Sequence, residues 1–348
     1  MIRRAALVFI AVVCALPASV HATRLAGEFM AIGGGARALG MGGAFVAVAG
    51  DASTVYWNPA GISGMEKRQA LAMHSERFGD LVNFNFGAYA QPTKLLDEKY
   101  EPAFGFALLH QGVDDIILTN QLILEDTNGD GIPNGSETLL DENGNRYVWD
   151  DLPRESDNAF ALLSTFAVLT DYGRVGGTLK LIYNDAIDEE SMTGIGIDLG
   201  YLYRGLLTEN LDVGVKVQDA TGTYLSWSTG TNEFIIPMVK VGAAYEIAPE
   251  GLNGSLLLAV DSDLFFDDRR SASQFWLETM SSDLHLGAEL QFQNVVMVRG
   301  GMDGGRGFDQ LNYTAGAGLR FRGLGFDYAY LHHDDFDATH RVSVLAEF

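Results

Sequence analysis

The sequence predicts an all-β fold: a transmembrane antiparallel β-barrel of about fourteen strands, with an N-terminal hatch segment inside it. Three observations predict it. From about Arg68 onward, short segments alternate apolar and polar residues with period two. These segments number fourteen and run about 10–13 residues, enough to cross a bilayer at a tilt of about 45°. The links between them sort by parity into tight turns and longer loops, as in outer-membrane barrels.

Composition sets the outer bounds. The chain of 348 residues carries 46 acidic against 23 basic residues, a formal charge of -23. That balance argues against a nucleic-acid partner held through basic patches. The 41 glycines against 8 prolines favour sheets with tight turns over long helices. Cys14 is the only cysteine, so an internal disulfide and Cys₄ or Cys₂His₂ metal sites are excluded.

Residues 1–22 read as a signal peptide. Arg3 and Arg4 make a positive start, Ala5–Ala15 is apolar, and Val20-His21-Ala22 is a small-x-small cleavage site. After Ala22 no uncharged apolar run approaches the roughly 18 residues a spanning helix needs. Export without a helical anchor points to the outer membrane of a Gram-negative-type bacterium.

The strands are expected near 68–78, 81–91, 101–113, 157–169, 173–185, 191–203, 209–219, 236–248, 254–265, 282–292, 294–303, 309–321, 324–334 and 339–348. Turns after even strands are mostly short, as at Thr170–Tyr172 and Arg322–Gly323. Links after odd strands are usually longer, as at 114–156, 220–235 and 266–281. Outward aromatics Tyr203, Tyr245, Phe292, Phe321 and Phe348 fall at the ends of even strands, where a lower aromatic girdle belongs. The inward faces carry Arg174, Lys180, Asp198, Lys216, Lys240, Glu246, Asp261, Asp263, Glu289, Arg299, Arg320 and Asp327. A lumen with that many charges is wet or plugged. The final strand ends on Phe348 after Val342, Val344 and Ala346. It resembles the terminal aromatic strand that the outer-membrane barrel assembly machinery recognises. Outer-membrane lipids and that machinery are therefore expected partners.

Residues 23–66 break the pattern and are expected to form the hatch, leaving 67–348 as the barrel. They contain Gly33-Gly34-Gly35, then Leu39-Gly40-Met41-Gly42-Gly43, then Trp57-Asn58-Pro59-Ala60. No strand–GxGxxG–helix order accompanies these glycines, so a phosphate cradle is rejected. Small residues suit tight folding in a narrow space. Pro59 fixes its own φ and biases Asn58 to an extended shape.

The run GARALGMGGAFVAVAGDASTVYWNPAGISG, residues 35–64, resembles the N-terminal signature of the PorV/PorQ family within the FadL-like outer-membrane superfamily. The resemblance implies a fourteen-stranded barrel with an internal hatch, whose Asn-Pro-Ala element matches Asn58-Pro59-Ala60. It implies, first, a type IX secretion-associated protein that binds secreted cargo or acts as a surface scaffold. The alternative is a FadL-like transporter of long-chain fatty acids or other hydrophobic small molecules. No nucleophile–base–acid set stands out, so enzymatic activity is not expected. His332-His333 with Asp334-Asp335 is read as a solvated loop.

One constellation carries specific chemistry. The long acidic external loop, 114–156, contains Asp126-Thr127-Asn128-Gly129-Asp130-Gly131-Ile132-Pro133-Asn134-Gly135-Ser136-Glu137, matching D-x-[DN]-x-[DN]-G-x₅-E throughout. Asp126, Asn128 and Asp130 offer side-chain oxygens, Ile132 its carbonyl, and Glu137 two oxygens, a set that suits Ca²⁺. Pro133 opposes a normal exiting helix, so the pattern is a calcium loop without an EF-hand pair. Calcium is expected to protect residues 114–156 from proteolysis, with stabilisation of about 2.7 kcal/mol at a hundredfold excess over the dissociation constant. Asp130→Ala with Glu137→Ala should abolish that protection; equal cutting of wild type and variant in calcium would reduce the pattern to a run of acidic turns.

Overall fold

The computed structural model describes residues 27–78, 81–118, 123–125, 138–140, 144–147, 152, 154–249, 251, 253–266, 273–304, 312–332 and 338–348. Fourteen strands form the wall. They are β1 (Gln69–Arg77), β2 (Val82–Pro92), β3 (Ala103–Ile117), β4 (Arg154–Thr170), β5 (Gly173–Asp185), β6 (Ser191–Tyr203) and β7 (Leu211–Gln218), followed by β8 (Met238–Ile247), β9 (Gly254–Phe265), β10 (Met280–Phe292), β11 (Val296–Asp303), β12 (Asn312–Phe321), β13 (Leu324–Leu331) and β14 (Thr339–Glu347). Each pairs antiparallel with the next. The ring closes where β1 pairs β14, from Gln69↔Glu347 to Glu76↔His340. Closure removes both sheet edges, so the whole ladder is satisfied inside the wall. No helix among the described residues is long and apolar enough to cross a membrane.

Alternation places the two faces. Leu179, Leu181, Ile197, Leu258, Val298 and Val344 are exposed on the outside. Their cross-face neighbours Lys180, Asp198, Asp261, Glu289, Arg299 and Asp327 are buried inside. An outer surface that is apolar over most of its height, around a buried charged interior, inverts the soluble pattern. It places the barrel in the outer membrane. Tyr203, Tyr245, Phe292, Phe321 and Phe348 are all exposed at one end of the wall. That end faces the periplasm, with the C-terminus.

The structure differs from the sequence expectation at strand ends and in the long links. β3 runs on to Ile117 and β4 starts at Arg154, because Ile116 and Ile117 pair Glu155 and Arg154 beyond a register shift. The link after β7 is not a plain loop. The chain turns at Asp219 and Gly222, both at positive φ, and then Thr223–Trp227 resumes pairing with β6. Asn232–Ile235 pairs back on it before β8. In the acidic loop, Ile123–Glu125 and Thr138–Leu140 pair antiparallel, with Glu125 opposite Thr138, and Arg146–Tyr147 adds a third strand.

A charge on the lipid face tests this topology. Leu258→Arg should destabilise the barrel by about 2–4 kcal/mol if the residue lies near the bilayer midplane. Glu246→Arg, at the periplasmic mouth, should cost far less. Urea unfolding in phospholipid vesicles measures both; equal midpoints would overturn the assignment of faces.

Candidate functional site

The segment from Gly27 to Met65 has no strand. It comprises a 3₁₀ turn Glu28–Ile32, helix α1 (Ala36–Gly40), helix α2 (Thr54–Trp57) and a second 3₁₀ turn Pro59–Ile62. Elements this short satisfy few of their own backbone groups. Wall side chains supply the rest. Going round the barrel, Ser343 on β14 accepts from Ala36 N at 2.8 Å, and Thr314 on β12 donates to Gly40 O at 3.1 Å. His285 Nδ1 on β10 lies 2.9 Å from Gly42 O. Asp261 Oδ2 on β9 accepts from Phe45 N at 2.6 Å and Val46 N at 2.7 Å. Lys216 Nζ on β7 donates to Tyr56 O at 2.7 Å and sits 5.0 Å from the Tyr56 ring centroid. Partners on so many strands place the segment inside the lumen as a plug.

The sequence-predicted hatch residues lie at the centre of this packing. Trp57, Asn58, Pro59 and Ala60 are all buried. Trp57 Nε1 donates to Gly34 O at 2.7 Å, and its ring meets Tyr56 edge-on at 5.0 Å and Phe45 at 6.1 Å. Asn58 is extended, φ -155°, as the following proline requires. Its Nδ2 donates to Val46 O at 2.7 Å and to Tyr201 O on β6 at 3.1 Å; its Oδ1 accepts from Ala60 N at 3.1 Å. One amide thus caps a turn, ties two parts of the plug and anchors both to the wall.

Close approach of the wall needs missing side chains. A Cβ at Gly176 on β5 would lie 2.5 Å from the Pro59 carbonyl carbon, and one at Gly287 on β10 would lie 2.5 Å from Met41 O. These glycines are bare so that plug backbone can rest on wall backbone.

Charge ties the same surfaces together. Arg37 in α1 donates from Nη2 to Glu289 Oε1 on β10 at 2.6 Å and from Nη1 to Asp51 Oδ2 at 3.1 Å. Glu289 also accepts from Arg299 Nε at 2.5 Å. Arg299 Nη1 reaches Asp327 at 2.7 Å, which Arg320 meets at 2.9 Å. A second cluster joins Lys180 to Asp198 (2.8 Å) and Asp219, and Lys216 to Asp198 (3.1 Å). Sequence reading named the wall charges but missed Arg37, Asp51 and Tyr56. The one visible signal was Arg37, a lone cation within a run of glycine and alanine.

At the periplasmic end a cavity of about 560 Å³ opens between plug and wall. Gly61, Ser63, Gly64 and Lys67 line one side; Arg174, Arg204, Glu246 and Glu347 line the other. Its lining is polar and charged. The proposed calcium ligands Asp126, Asn128, Asp130, Ile132 and Glu137 lie outside the described residues, as do residues 1–22 and His333 through Asp335. Among the described residues no cluster of three or more His, Cys, Asp or Glu could hold a metal.

No family model matches the chain, and no curated protein matches it. Solved structures do. The monoaromatic hydrocarbon channel CymD aligns with TM-score 0.56 at 12 % identity, over 91 % of this chain and 98 % of its own. The toluene transporter TbuX of Ralstonia pickettii aligns with TM-score 0.52 at 13 % identity, over 90 % and 97 %. A Pseudomonas aeruginosa FadL homologue aligns with TM-score 0.51 at 10 % identity, over 88 % and 96 %. The fold is that of the FadL-like outer-membrane barrels. At these identities the likeness is one of architecture. The narrower PorV/PorQ resemblance keeps the run at residues 35–64 as its support.

Asn58→Ala tests the anchoring of the plug. It leaves Val46 O and Tyr201 O without this donor and removes the cap on Ala60 N. The expected cost is about 2–4 kcal/mol. Single-channel conductance in planar bilayers should rise as the plug loosens. Wild-type conductance together with a wild-type denaturation midpoint would show that Asn58 does not hold the plug.

Proposed function

We propose that this protein is an outer-membrane channel for small hydrophobic compounds. The observation that carries the reading is a lumen filled by a buried plug that is bonded to wall strands around the ring. Such a barrel is ill suited to free diffusion of small polar solutes, which needs a wide aqueous path. It suits a ligand that enters through a bound state. The architecture is shared with CymD and TbuX, whose names describe a monoaromatic hydrocarbon channel and a toluene transporter.

The secretion reading rests on the run at residues 35–64. In this chain those residues are engaged in plug–wall packing: Gly40 under Thr314, Val46 on Asp261 and Asn58, Pro59 on Gly176. A hydrocarbon channel and a cargo-binding barrel need that packing alike. The run therefore supports a plugged barrel more strongly than it supports a cargo.

The test is uptake of radiolabelled toluene by whole cells of a deletion strain with and without the gene, at concentrations where diffusion is slow. The protein should speed uptake several-fold, and a polar solute of similar size should be unaffected. Equal uptake in both strains, with secreted proteins co-purifying from outer membranes, would favour the secretion role instead.

A further inference from the structure

Seen from outside, one hairpin of the wall differs from its neighbours. Neither β1 nor β2 puts an exposed large apolar side chain on the outer face, whereas the strands on either side do: Val342 and Val344 on β14, Phe106 and Leu108 on β3. The outward pairs of the hairpin include Ala72↔Gly87, His74↔Asn85 and Glu76↔Asn83. Small residues therefore lie toward the periplasm and polar ones toward the external turn. Val344 flanks Ala72 on one side, and Leu108 flanks Gly87 on the other, both in register. The result is a trough two strands wide between two apolar ridges.

Gly87 lies on the floor of this trough. At Gly176 and Gly287 an added Cβ would strike the plug. At Gly87 it would meet nothing within 4 Å, and the backbone there is not left-handed. Among the described glycines Gly87 alone combines the two. The packing and backbone of the single chain thus give no reason for a glycine, which weakens a strand interior. A bare, outward strand position suits close approach by another molecule.

The chemistry of the face narrows the choice of that molecule. Acyl chains could fill the trough, but they offer no hydrogen bonds to the groups above it. His74, Asn85 and His110 form a hydrogen-bonded row, and His74 Nε2 lies 3.4 Å from Glu76 Oε1. The face carries imidazoles, a carboxylate and amides that both donate and accept, so it complements itself. Its shape does the same, because the Leu108 ridge adjoins the Gly87 trough in one row. A two-fold axis along the membrane normal, between β2 and β3, keeps both copies inserted the same way and every residue at its own depth. It lays the Leu108 ridge of each copy in the trough of the other and sets the two polar rows against each other.

We propose that the outer face of the β1–β2 hairpin is a self-association surface, on which two copies of this chain pair side by side in the outer membrane. The pairing is independent of what the barrel carries.

The experiment uses the full chain in native outer membranes. Cys14, the only cysteine, is first changed to alanine. Gly87→Cys and Asn83→Cys, both on the outward face of β2, should then each give a product of twice the monomer mass with a short bis-maleimide. Leu258→Cys, exposed on β9 halfway round the ring, should not. Adding Gly87→Leu to the Asn83→Cys chain fills the trough and should lower the dimer yield at least about tenfold. The leucine has room in a single copy, so its thermal midpoint in nonionic detergent should not fall. Cross-linking at positions 87 and 83 no stronger than at 258 would overturn the pairing and leave the trough to lipid. A product of any other mass would overturn the second copy in favour of a different protein. A Gly87→Leu chain that dimerises like wild type, or one with a lowered midpoint, would show that the glycine does not serve association.

Discussion

The structure depends on one constraint: a plug with little regular structure of its own must have its backbone hydrogen bonds completed by the barrel wall. Helices of four or five residues leave most of their donors and acceptors open. Buried without partners, each open group would cost about 1–3 kcal/mol. Asp261, Lys216, Thr314, His285 and Ser343 answer that need from five different strands. The wall charges follow from it. A lysine or histidine aimed at backbone is met by a carboxylate nearby: Asp198 for Lys216, and Asp263 for His285. The wall glycines follow as well, since backbone-to-backbone approach leaves no room for a Cβ. Removing one partner of these buried pairs is expected to be worse than never having had the pair.

Much of the wall was legible in the sequence, and the reason is local. Segments 173–185, 191–203 and 254–265 coincide with β5, β6 and β9 because glycine-containing or polar turns bound them; alternation runs through 191–203, while 254–265 carries the apolar run Leu256–Val260. The bulge at Asp219–Gly222 was not legible. Asp-Ala-Thr-Gly reads as an ordinary turn, and only tertiary pairing of Thr223–Trp227 with β6 shows that the strand resumes. The plug was legible as a break in periodicity, and its proline fixed the shape of Asn58. Its partners were not, because they are distant in sequence: Asn58 meets Tyr201, Arg37 meets Glu289, and Ala36 meets Ser343.

The lipid-facing side also departs from a uniform apolar belt. His74 Nδ1 meets Asn85 Oδ1 at 2.8 Å, Asn85 Nδ2 meets His110 Nδ1 at 3.2 Å, and His110 Nε2 meets Asn158 Oδ1 at 3.0 Å. This row runs across β1 to β4 on their outward faces. On β1 and β2 it lies only a few residues below the external turn, where headgroups replace hydrocarbon. Mutual hydrogen bonding lowers what remains of the desolvation cost, and stacking of His110 on Phe160 at 4.6 Å covers one ring face. The apolar belt thus stops short of the external turn on the β1–β2 hairpin.

Space inside the barrel is distributed unevenly, and that bears on how a ligand could pass. Around α1 and α2 the plug is sealed to the wall by direct bonds, and Ala36, Ala38, Met41, Phe45 and Asn58 are almost wholly buried. Beyond Gly61 the contacts thin out, and the 560 Å³ cavity lies between the plug's last turn and the strand ends at the periplasmic mouth. On the channel reading proposed above, the resistance to passage would lie at the level of α1, where Arg37 is held by Glu289 and Asp51. The polar vestibule beyond it would give an apolar molecule little reason to stay, which is the condition for release on that side.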